Sequence, residues 1–500
     1  MARINTNVQS LIAQRVLGQN NSGLNVALER LSTGLKINRG KDDPAGLIAS
    51  ENLLSEQKAL NTAVDNSERA DQVVNIAEGG LQEVSGLLSE LQSLVTASGS
   101  SAGLSAEEKA ANQLQIDSIL QTIDRISSTT NFQGIKLLNG NFNFKTSSIS
   151  SSVTDFRVNG AKFTGSSLAV TAQITQSAQQ AGLFLSAGAA ALDLGTGSTL
   201  VLEVAGSKGS RELSFTSGTS LTAVRDAINS FTDVTGVQAT VSGTGIKLVS
   251  KDFGSAEFVS VKVVDDGGIT GASSGIHTLT AGDFSTAVAG SQVEFAAATN
   301  AVRDQGQDIG ATINGVKATS SGKTARINTD FLDVELTFGT TASQTLSSVS
   351  ALTITGGGAN FQLSSKVDIG GKVSLGIAEI AARKLGNSSL GFLDSLASGK
   401  SNNVVSGNLT DAQSVVAEAI KQVSSLRGRL GAFQKNVIGA NIRSLNVSIE
   451  NTAAAQSVIR DADFATETAA LTRSQILVSS ATNILALSNS QPQSALQLLG

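Results

Sequence analysis

The sequence predicts an α+β protein in which both ends of the chain form a long α-helical coiled-coil or bundle core and β-rich outer domains are inserted between them. Three observations carry this. Apolar side chains recur at helical spacing near the N-terminus and every seven residues near the C-terminus, and a Gly/Ser/Thr-rich middle alternates like β-strand. Neither helical stripe has a partner within its own segment, so the chain must join its ends or bury both stripes against other copies of itself.

The N-terminal helix carries an apolar stripe that we expect to pack subunits together. Its members are Ile4, Val8, Leu11, Leu24, Leu28, Leu31 and Leu35. Gly40, a common C-cap residue, is predicted to end the helix. Asp43 can cap a new helix and Pro44 suits its first position, where a missing N–H costs nothing, so residues 36–43 are a predicted joint between two helices.

Two further helices are predicted before residue 130. The second runs from about residue 44 to 98 and carries a seam at 3-4-3-4 spacing, formed by Leu81, Val84, Leu88, Leu91 and Val95. Ser105 and Glu108 form a capping box for the third helix, which runs to about Ser128.

The middle of the chain shows the two-residue period of strands. Asn159-Gly160 predicts a hairpin turn between two short runs, and Asn314-Gly315 predicts another. Residues 199–264 predict strands on both sides of a helix whose apolar face includes Leu221, Val224 and Ile228.

Helix returns near the C-terminus. Thr410 and Gln413 predict its capping box, and Pro492 predicts its end. The inner part of this segment supplies a second seam for the helical core: Val423, Leu426, Leu430, Phe433 and Val437. The last part supplies the C-terminal stripe: Leu471, Val478 and Leu485.

These patterns predict four domains. Residues 1–43 with 456–500 form a terminal coiled-coil core, and residues 44–165 with 359–455 form a helical rod with a β-hairpin. Residues 166–264 form an outer β-rich domain, and residues 265–358 form a second outer β-rich unit.

Composition argues against catalysis. The chain has no Cys and one His, His277, so it offers no thiol chemistry, no two-histidine zinc site and no catalytic constellation. We expect His277 to be a surface residue in a turn, and Asp265-Asp266 to be a solvated turn rather than a Ca²⁺ site. We therefore predict a non-enzymatic protein with no metal and no cofactor.

Charge and hydropathy bound the partners. A net charge of −5 without a basic run argues against a nucleic-acid partner. No apolar run reaches the 18 residues of a membrane span, and the N-terminus lacks the apolar core of a signal peptide. Residues 1–40 carry five basic residues against one acidic, and residues 461–500 carry three acidic against one basic. Opposite charges would favour pairing of the two ends. The alternative is that chance and the composition of an export signal produce the same asymmetry.

Several segments go beyond pattern and closely resemble bacterial flagellin. They are LERLSTGLKINRGKDDPAG (28–46), STTNFQGIKLLNGNF (128–142), SLRGRLGAFQKNV (425–437), IRDADFATETAALTRSQIL (459–477) and the ALSNSQPQSALQLL tail. The resemblance covers roughly the first 165 and last 140 residues. GTSLTAVRDAIN and GTGIKLVS, within 196–264, resemble the flagellin IN repeat, whereas 265–358 resembles no family.

This resemblance implies a structural subunit that polymerises into the extracellular filament used for swimming. It further implies type III export without a cleaved signal peptide, and partners that include the export apparatus, an export chaperone, and the filament cap and junction proteins. The alternative is a hook–filament junction protein, which usually matches the core motifs less completely. A β-rich secreted adhesin would explain the middle but not the matched helical ends.

One ridge of the family is recognised by Toll-like receptor 5 through an Arg-Leu-Glu constellation. Alignment places Glu90 at the Arg position, Leu94 at the Leu and Gln115 at the Glu. One charge is reversed and one is lost, so the resemblance implies weak or no activation of this receptor.

Overall fold

The computed structural model describes residues 6–100, 103–195, 197–269, 274–279 and 291–497. The predicted fold class is confirmed, because long helices come from both ends and antiparallel sheets occupy the middle. The helices of the described residues are α1 (Val8–Thr33), α2 (Pro44–Ser98), α3 (Ala106–Thr129), α4 (Leu221–Asn229), α5 (Thr232–Thr235), α6 (Thr340–Gln344), α7 (Leu409–Ala432), α8 (Gly439–Arg460) and α9 (Phe464–Gln497). A π turn, Phe433–Ile438, links α7 to α8, and short 3₁₀ turns cover Phe295–Ala297 and Leu393–Leu396.

The strands are short and antiparallel. Those before the inserted helix α4 are β1 (Asn131–Phe132), β2 (Ile135–Lys136), β3 (Phe144–Ser147), β4 (Val153–Ala161), β5 (Leu168–Gln176), β6 (Gly182–Ser186), β7 (Thr199–Gly206) and β8 (Gly209–Thr216). Those that follow are β9 (Val237–Ser242), β10 (Gly245–Ser250), β11 (Phe258–Asp265), β12 (Gly275–Thr278), β13 (Val302–Gln305), β14 (Gly310–Ile313), β15 (Val316–Lys317) and β16 (Thr319–Ser321). The last are β17 (Thr324–Asn328), β18 (Leu332–Phe338), β19 (Ser348–Gly357), β20 (Ala359–Gln362), β21 (Lys372–Leu375), β22 (Gly386–Asn387) and β23 (Gly391–Phe392).

The chain divides into two compact units. The first comprises residues 1–72, 361–371 and 432–500, and the second comprises residues 73–360 and 372–431. These cuts differ from the predicted boundaries at residues 43 and 455, because α2 runs unbroken through residue 72 and no change of local pattern marks the division.

In the first unit, α1 ends earlier than the sequence predicts. Thr33 is its last residue, and Gly34 adopts the left-handed conformation, φ 71°, while its N–H donates to the Arg30 carbonyl. This is the usual glycine C-cap, so the prediction that the helix stops near Gly40 is wrong. Pro44 begins α2, and the Asp43 carboxylate accepts the N–H of Gly46 at 2.9 Å.

Of the two predicted capping boxes, one is confirmed and the other is wrong. The Ser105–Glu108 capping box of α3 is present in both directions. The capping box predicted at Thr410 is absent, because α7 begins one residue earlier, at Leu409. The Asn408 side chain accepts the N–H groups of Thr410 and Asp411 instead.

The π turn shifts the C-terminal seam by one residue. Val437, predicted to face inward, is half-buried, and Ile438 is 1% exposed. A π turn holds one residue more than an α-helical turn, so it rotates everything that follows relative to the seam before it. The inward position moves from Val437 to Ile438 for this reason.

Two adjacent glycines of α2 provide a matched test of packing in the second unit. A Cβ on Gly80 would lie 2.8 Å from Leu138 Cδ1 and 2.9 Å from Thr130 Oγ1, whereas a Cβ on Gly79 would meet nothing within 4 Å. We expect Gly79→Ala to raise the free energy of unfolding by about 0.5–1 kcal/mol through helix propensity. Gly80→Ala should lower it by about 1–3 kcal/mol through overpacking. Urea unfolding of the two variants checks this, and equal effects would contradict the close approach.

The β-rich region forms two modules that do not follow the predicted boundary at residue 264. One, the split module, combines residues 144–178 with 309–357, because β14 and β19 pair with β5 while β18 pairs with β4. The other, the inserted module, comprises residues 181–305, whose buried residues form a separate core. The predicted units 166–264 and 265–358 are therefore corrected: strand pairing across the chain, not sequence order, defines each module.

One predicted hairpin turn is confirmed and the other is wrong. Asn314 and Gly315 have φ 47° and 82° and connect β14 to β15, as a tight hairpin requires. Asn159 and Gly160 instead lie within the continuous strand β4. There the Asn159 side chain donates to Asp333 Oδ1 at 3.1 Å, beside an irregularity in the pairing with β18.

The inserted module contains the predicted helix flanked by strands. Leu221, Val224 and Ile228 of α4 are all buried in its core. His277 is not in a turn as predicted. It lies half-buried in β12, with its ring centroid 6.2 Å from that of Phe184.

Candidate assembly surface

The first and last helices of the chain pair with each other in antiparallel orientation. At one end of the pair, the Asn7 amide donates to the Ser488 carbonyl and the Ser10 hydroxyl donates to Asn489 Oδ1, both at 2.7 Å. At the other end, Arg30 lies 3.0 Å from Glu467. The side chains of Arg30 and Glu467 are largely shielded, at 28% and 11% exposed, so this ion pair joins the basic and acidic ends that the sequence predicts to pair.

Asn7 also explains why α9 does not end at Pro492. The helix continues to Gln497, although proline has no N–H to donate to the carbonyl four residues earlier. That carbonyl belongs to Ser488, and it is the one that Asn7 bonds. The prediction that Pro492 ends the helix is wrong, and the side chain of Asn7, the N-cap residue of α1, supplies the donor that the proline lacks.

The contact between α1 and α9 is lined largely by small and polar side chains at 3-4 spacing. On α1 its members are Ser10, Ala13, Leu17, Asn20, Leu24, Ala27 and Leu31. On α9 they are Glu467, Leu471, Ser474, Val478, Ala481, Leu485 and Ser488. Small residues let two helices approach closely, and the strict seven-residue repeat is that of a coiled coil.

The predicted packing residues divide between this seam and the opposite faces. Leu24 and Leu31 on α1, and all three predicted residues on α9 (Leu471, Val478 and Leu485), are half-buried on the seam. Val8, Leu11 and Leu28 are 51%, 58% and 45% exposed and face away from it. Leu35 lies beyond the helix, and Ile4 lies outside the described residues. Sequence reasoning missed the small residues because it counted only large apolar ones; a heptad count that included Ala and Ser would have found them.

A second set of large apolar side chains lies exposed on the helix pair. It comprises Val8, Leu11, Ile12, Val16 and Leu28 on α1, and Phe464, Ile476, Leu477, Ile484 and Leu487 on α9. We call these ten residues the outer apolar face. Burying each of these side chains would contribute roughly 1.5–3 kcal/mol to the association of subunits, whereas in the isolated subunit they remain exposed to water.

The loop between α1 and α2 and the break between α8 and α9 contact each other through backbone hydrogen bonds. The N–H of Lys36 donates to the Arg460 carbonyl at 2.7 Å, and the N–H of Ala462 donates to the Gly34 carbonyl at 2.9 Å. These bonds flank a β-bridge between Leu35 and Asp461. The joint predicted at residues 36–43 is therefore fastened to the equivalent break in the C-terminal part of the chain.

One carboxylate in the loop between α1 and α2, and one between α8 and α9, has its pKa lowered by backbone N–H groups. The N–H of Thr466, its hydroxyl and the N–H of Ala465 all bond Asp463 and lower its pKa. The N–H of Arg39 has the largest effect on Asp42 and lowers its pKa; burial opposes it, and the N–H of Asn38 lowers that pKa further. This bonding favours the ionised form of both carboxylates. Only Asp463 accepts N–H groups from the first turn of a helix, where the dipole also favours negative charge. Asp42 accepts its N–H groups from the loop between α1 and α2.

The predicted rod-core residues lie inside the helical layers. Leu81, Val84, Leu88, Leu91 and Val95 of α2 are at most 2% exposed. Val423, Leu426, Leu430 and Phe433 are at most 7% exposed. Val437 is half-buried, and Ile438 occupies the inward position in its place. In the second unit, Arg427 Nε lies 2.8 Å from Glu78 Oε1 and joins α7 to α2.

The ridge residues lie on neighbouring helices of the second unit. Glu90 on α2 and Gln115 on α3 are exposed, and Leu94 is half-buried.

Among the described residues no cluster of His, Cys, Asp or Glu suits a metal ion, and no helix is long and apolar enough to cross a membrane. Asp265 and Asp266 accept the N–H groups of Gly267 and Gly268, as turn residues do.

Comparison with known proteins identifies three family regions in the chain. The family model for the bacterial flagellin N-terminal helical region matches residues 4–143, and that for the C-terminal helical region matches residues 414–499. The flagellin hook IN motif matches residues 199–252. Both helices of the α1–α9 pair thus lie within the two terminal matches.

Full-length relatives extend this similarity over the chain. B-type flagellin of Pseudomonas aeruginosa is 28% identical, and flagellin of Salmonella choleraesuis is 27% identical; each alignment covers 99% of both chains. Among solved structures, the D1-D2-D3 domains of the flagellar cap protein FliD from Escherichia coli are 16% identical. That match covers 75% of this chain and 96% of the other, with a TM-score of 0.28.

Proposed function

Because the chain belongs to the bacterial flagellin family and is a structural subunit of the extracellular flagellar filament, we propose that its paired terminal helices are the part that polymerises. The observation that carries this is the outer apolar face. The two helices already satisfy each other through the α1–α9 seam, and ten further large apolar side chains are left for neighbours. Each contact between subunits is modest, but because the same contacts repeat along the filament, together they would make a strong tube.

The other regions take the remaining roles in this proposal. The buried seams of α2 and α7 build the wall of the tube, residues 36–43 join wall to core, and the two β modules decorate the outside. Both full-length relatives described above are flagellins, which supports the filament subunit over the alternative of a hook–filament junction protein.

We further propose that the subunit leaves the cell through the flagellar type III export apparatus, without a cleaved signal peptide and with an export chaperone. The match of both helical regions to the flagellin family supports this proposal. The filament cap and junction proteins are the remaining proposed partners.

Seeded polymerisation tests the proposed role of the terminal helices. Heat-depolymerised subunits should elongate filament seeds, and subunits that lack residues 1–40 or 461–500 should not. Truncated subunits that elongate seeds into normal filaments would overturn the proposal.

The altered ridge leads to a separate prediction about Toll-like receptor 5. A reversed charge left unpaired in an interface costs several kcal/mol, so we expect this flagellin to activate the receptor weakly or not at all. Combined Glu90→Arg and Gln115→Glu substitutions should raise potency in a cell reporter assay by at least about tenfold. Full potency of the unaltered protein would refute the prediction.

A further inference from the structure

The split and inserted modules are joined by a narrow two-stranded neck. One strand of the neck, residues 177–180, follows β5, and the other, residues 306–309, precedes β14. Gln179 and Gln307 form a bridge in which each N–H donates to the other's carbonyl, at 2.8 and 2.9 Å. Two chain crossings with so few bonds would by themselves allow the modules to swing.

Loops from both modules close around this neck. From the inserted module, the N–H of Gly254 donates to the Gln179 carbonyl at 3.2 Å, and the Glu257 carbonyl accepts the N–H of Gly306 at 2.9 Å. From the split module, the carbonyl of Gly322 accepts the N–H of Ile309 at 2.9 Å.

Asp308 binds both loops at once. Its Oδ1 accepts the N–H of Ser255 at 3.0 Å, from the inserted module, and the N–H of Gly322 at 2.7 Å, from the split module. Its Oδ2 accepts the Ser255 hydroxyl. Burial alone would raise the pKa of Asp308, but the hydroxyl and the two N–H groups outweigh it and hold that pKa below its usual range.

The loops approach so closely that only glycine fits at two positions. A Cβ on Gly254 would lie 2.6 Å from Asp308 Oδ1, and Gly254 has φ 120°. A Cβ on Gly306 would lie 2.5 Å from the Gly254 carbonyl oxygen. A further contact spans the modules, since Lys323 Nζ lies 4.9 Å from the centroid of the Phe253 ring.

We propose that Asp308 locks the neck, so that the split and inserted modules turn as one rigid arm. Beside the neck is an open groove of about 660 Å³, lined by polar residues such as Gln176, Asp308 and Lys317 and by apolar residues such as Ile309 and Ala311. The proposal concerns the arm alone and does not depend on how the terminal helices assemble.

Distances between spin labels test the lock in the full chain. The chain has no cysteine, so Thr240→Cys in the inserted module and Thr341→Cys in the split module, both at exposed positions, provide the only two thiols. Pulsed electron paramagnetic resonance should give one narrow distribution of the distance between the two spin labels in the otherwise unaltered protein. Adding Asp308→Ala should at least double its width.

Two further variants make the result decisive. Asp330→Ala removes an ion pair between the exposed Asp330 carboxylate and the largely buried Lys162 side chain; both lie in the split module outside the neck, so the width should stay unchanged. Ser255→Ala keeps the carboxylate and should give an intermediate width. A folded Asp308→Ala protein with an unbroadened distribution would overturn the proposal; if that variant does not fold, an unbroadened Ser255→Ala does so.

Discussion

Changing Ile476 to Glu is expected to prevent filament growth at subunit concentrations that support growth of the unaltered protein, while the subunit stays folded. Ile476 lies on the outer apolar face and is 61% exposed in the subunit, so a charge there meets only water before assembly. In the filament the same charge would be buried without a partner, and the buried apolar contact, worth roughly 1.5–3 kcal/mol, would be lost. Each 1.4 kcal/mol is about tenfold in concentration, so the critical concentration should rise by more than about tenfold.

A matched substitution separates this effect from a general cost of added charge. Val264→Glu places the same kind of change at a side chain that is 51% exposed on β11 of the inserted module. Light scattering on seeded subunits should show normal elongation for Val264→Glu and none for Ile476→Glu. Normal elongation of Ile476→Glu would show that the outer apolar face stays in water.

Deleting Asn436 from the π turn is expected to leave the subunit as stable as before, although a deletion within a long helix normally disrupts its packing. Leu430 and Phe433, the first residue of the turn, face inward, and so do Ile438, the last residue of the turn, and Leu445. The second pair lies one residue later than a continuous α-helical repeat would place it. Removing one exposed residue converts the π turn to α-helix and keeps Ile438 inward. The free energy of unfolding should change by no more than about 0.5 kcal/mol, the usual limit for surface changes.

Asn446 provides the matched control for this deletion. It is also an exposed asparagine, but it lies within regular α-helix in α8. Its loss would rotate Ile449 and the residues after it by about 100° away from their contacts. Urea unfolding should show a loss of more than about 2 kcal/mol for this deletion. Equal losses for both deletions would contradict the account of the π turn.

Local chemistry explains which parts of the fold were predictable from sequence. The Ser105–Glu108 box, the Asp43–Pro44 helix start and the Asn314-Gly315 turn all depend on residues a few positions apart, and the structure contains all three. Asn159-Gly160 has the same local signal but lies within a strand, because pairing with β18 outweighs its preference for a turn.

Long-range pairing explains what the sequence did not reveal. Strands β14 to β19 join β3 to β5 across an insertion of more than a hundred residues, and strand alternation alone does not choose between partners. The assembly residues show a related effect. Leu11 and Leu24 look alike in sequence, yet one is exposed and the other faces α9, because the small residues Ala13 and Ala27 set the orientation of the helix.

Helical reconstruction of the filament at side-chain resolution tests the central claim most directly. We predict that α1 pairs with α9 of the same subunit, with Arg30 against Glu467, and that Leu11, Ile476 and Leu487 lie against neighbouring subunits. A filament in which these three side chains face solvent, or in which α1 pairs with α9 of another subunit, would contradict the claim.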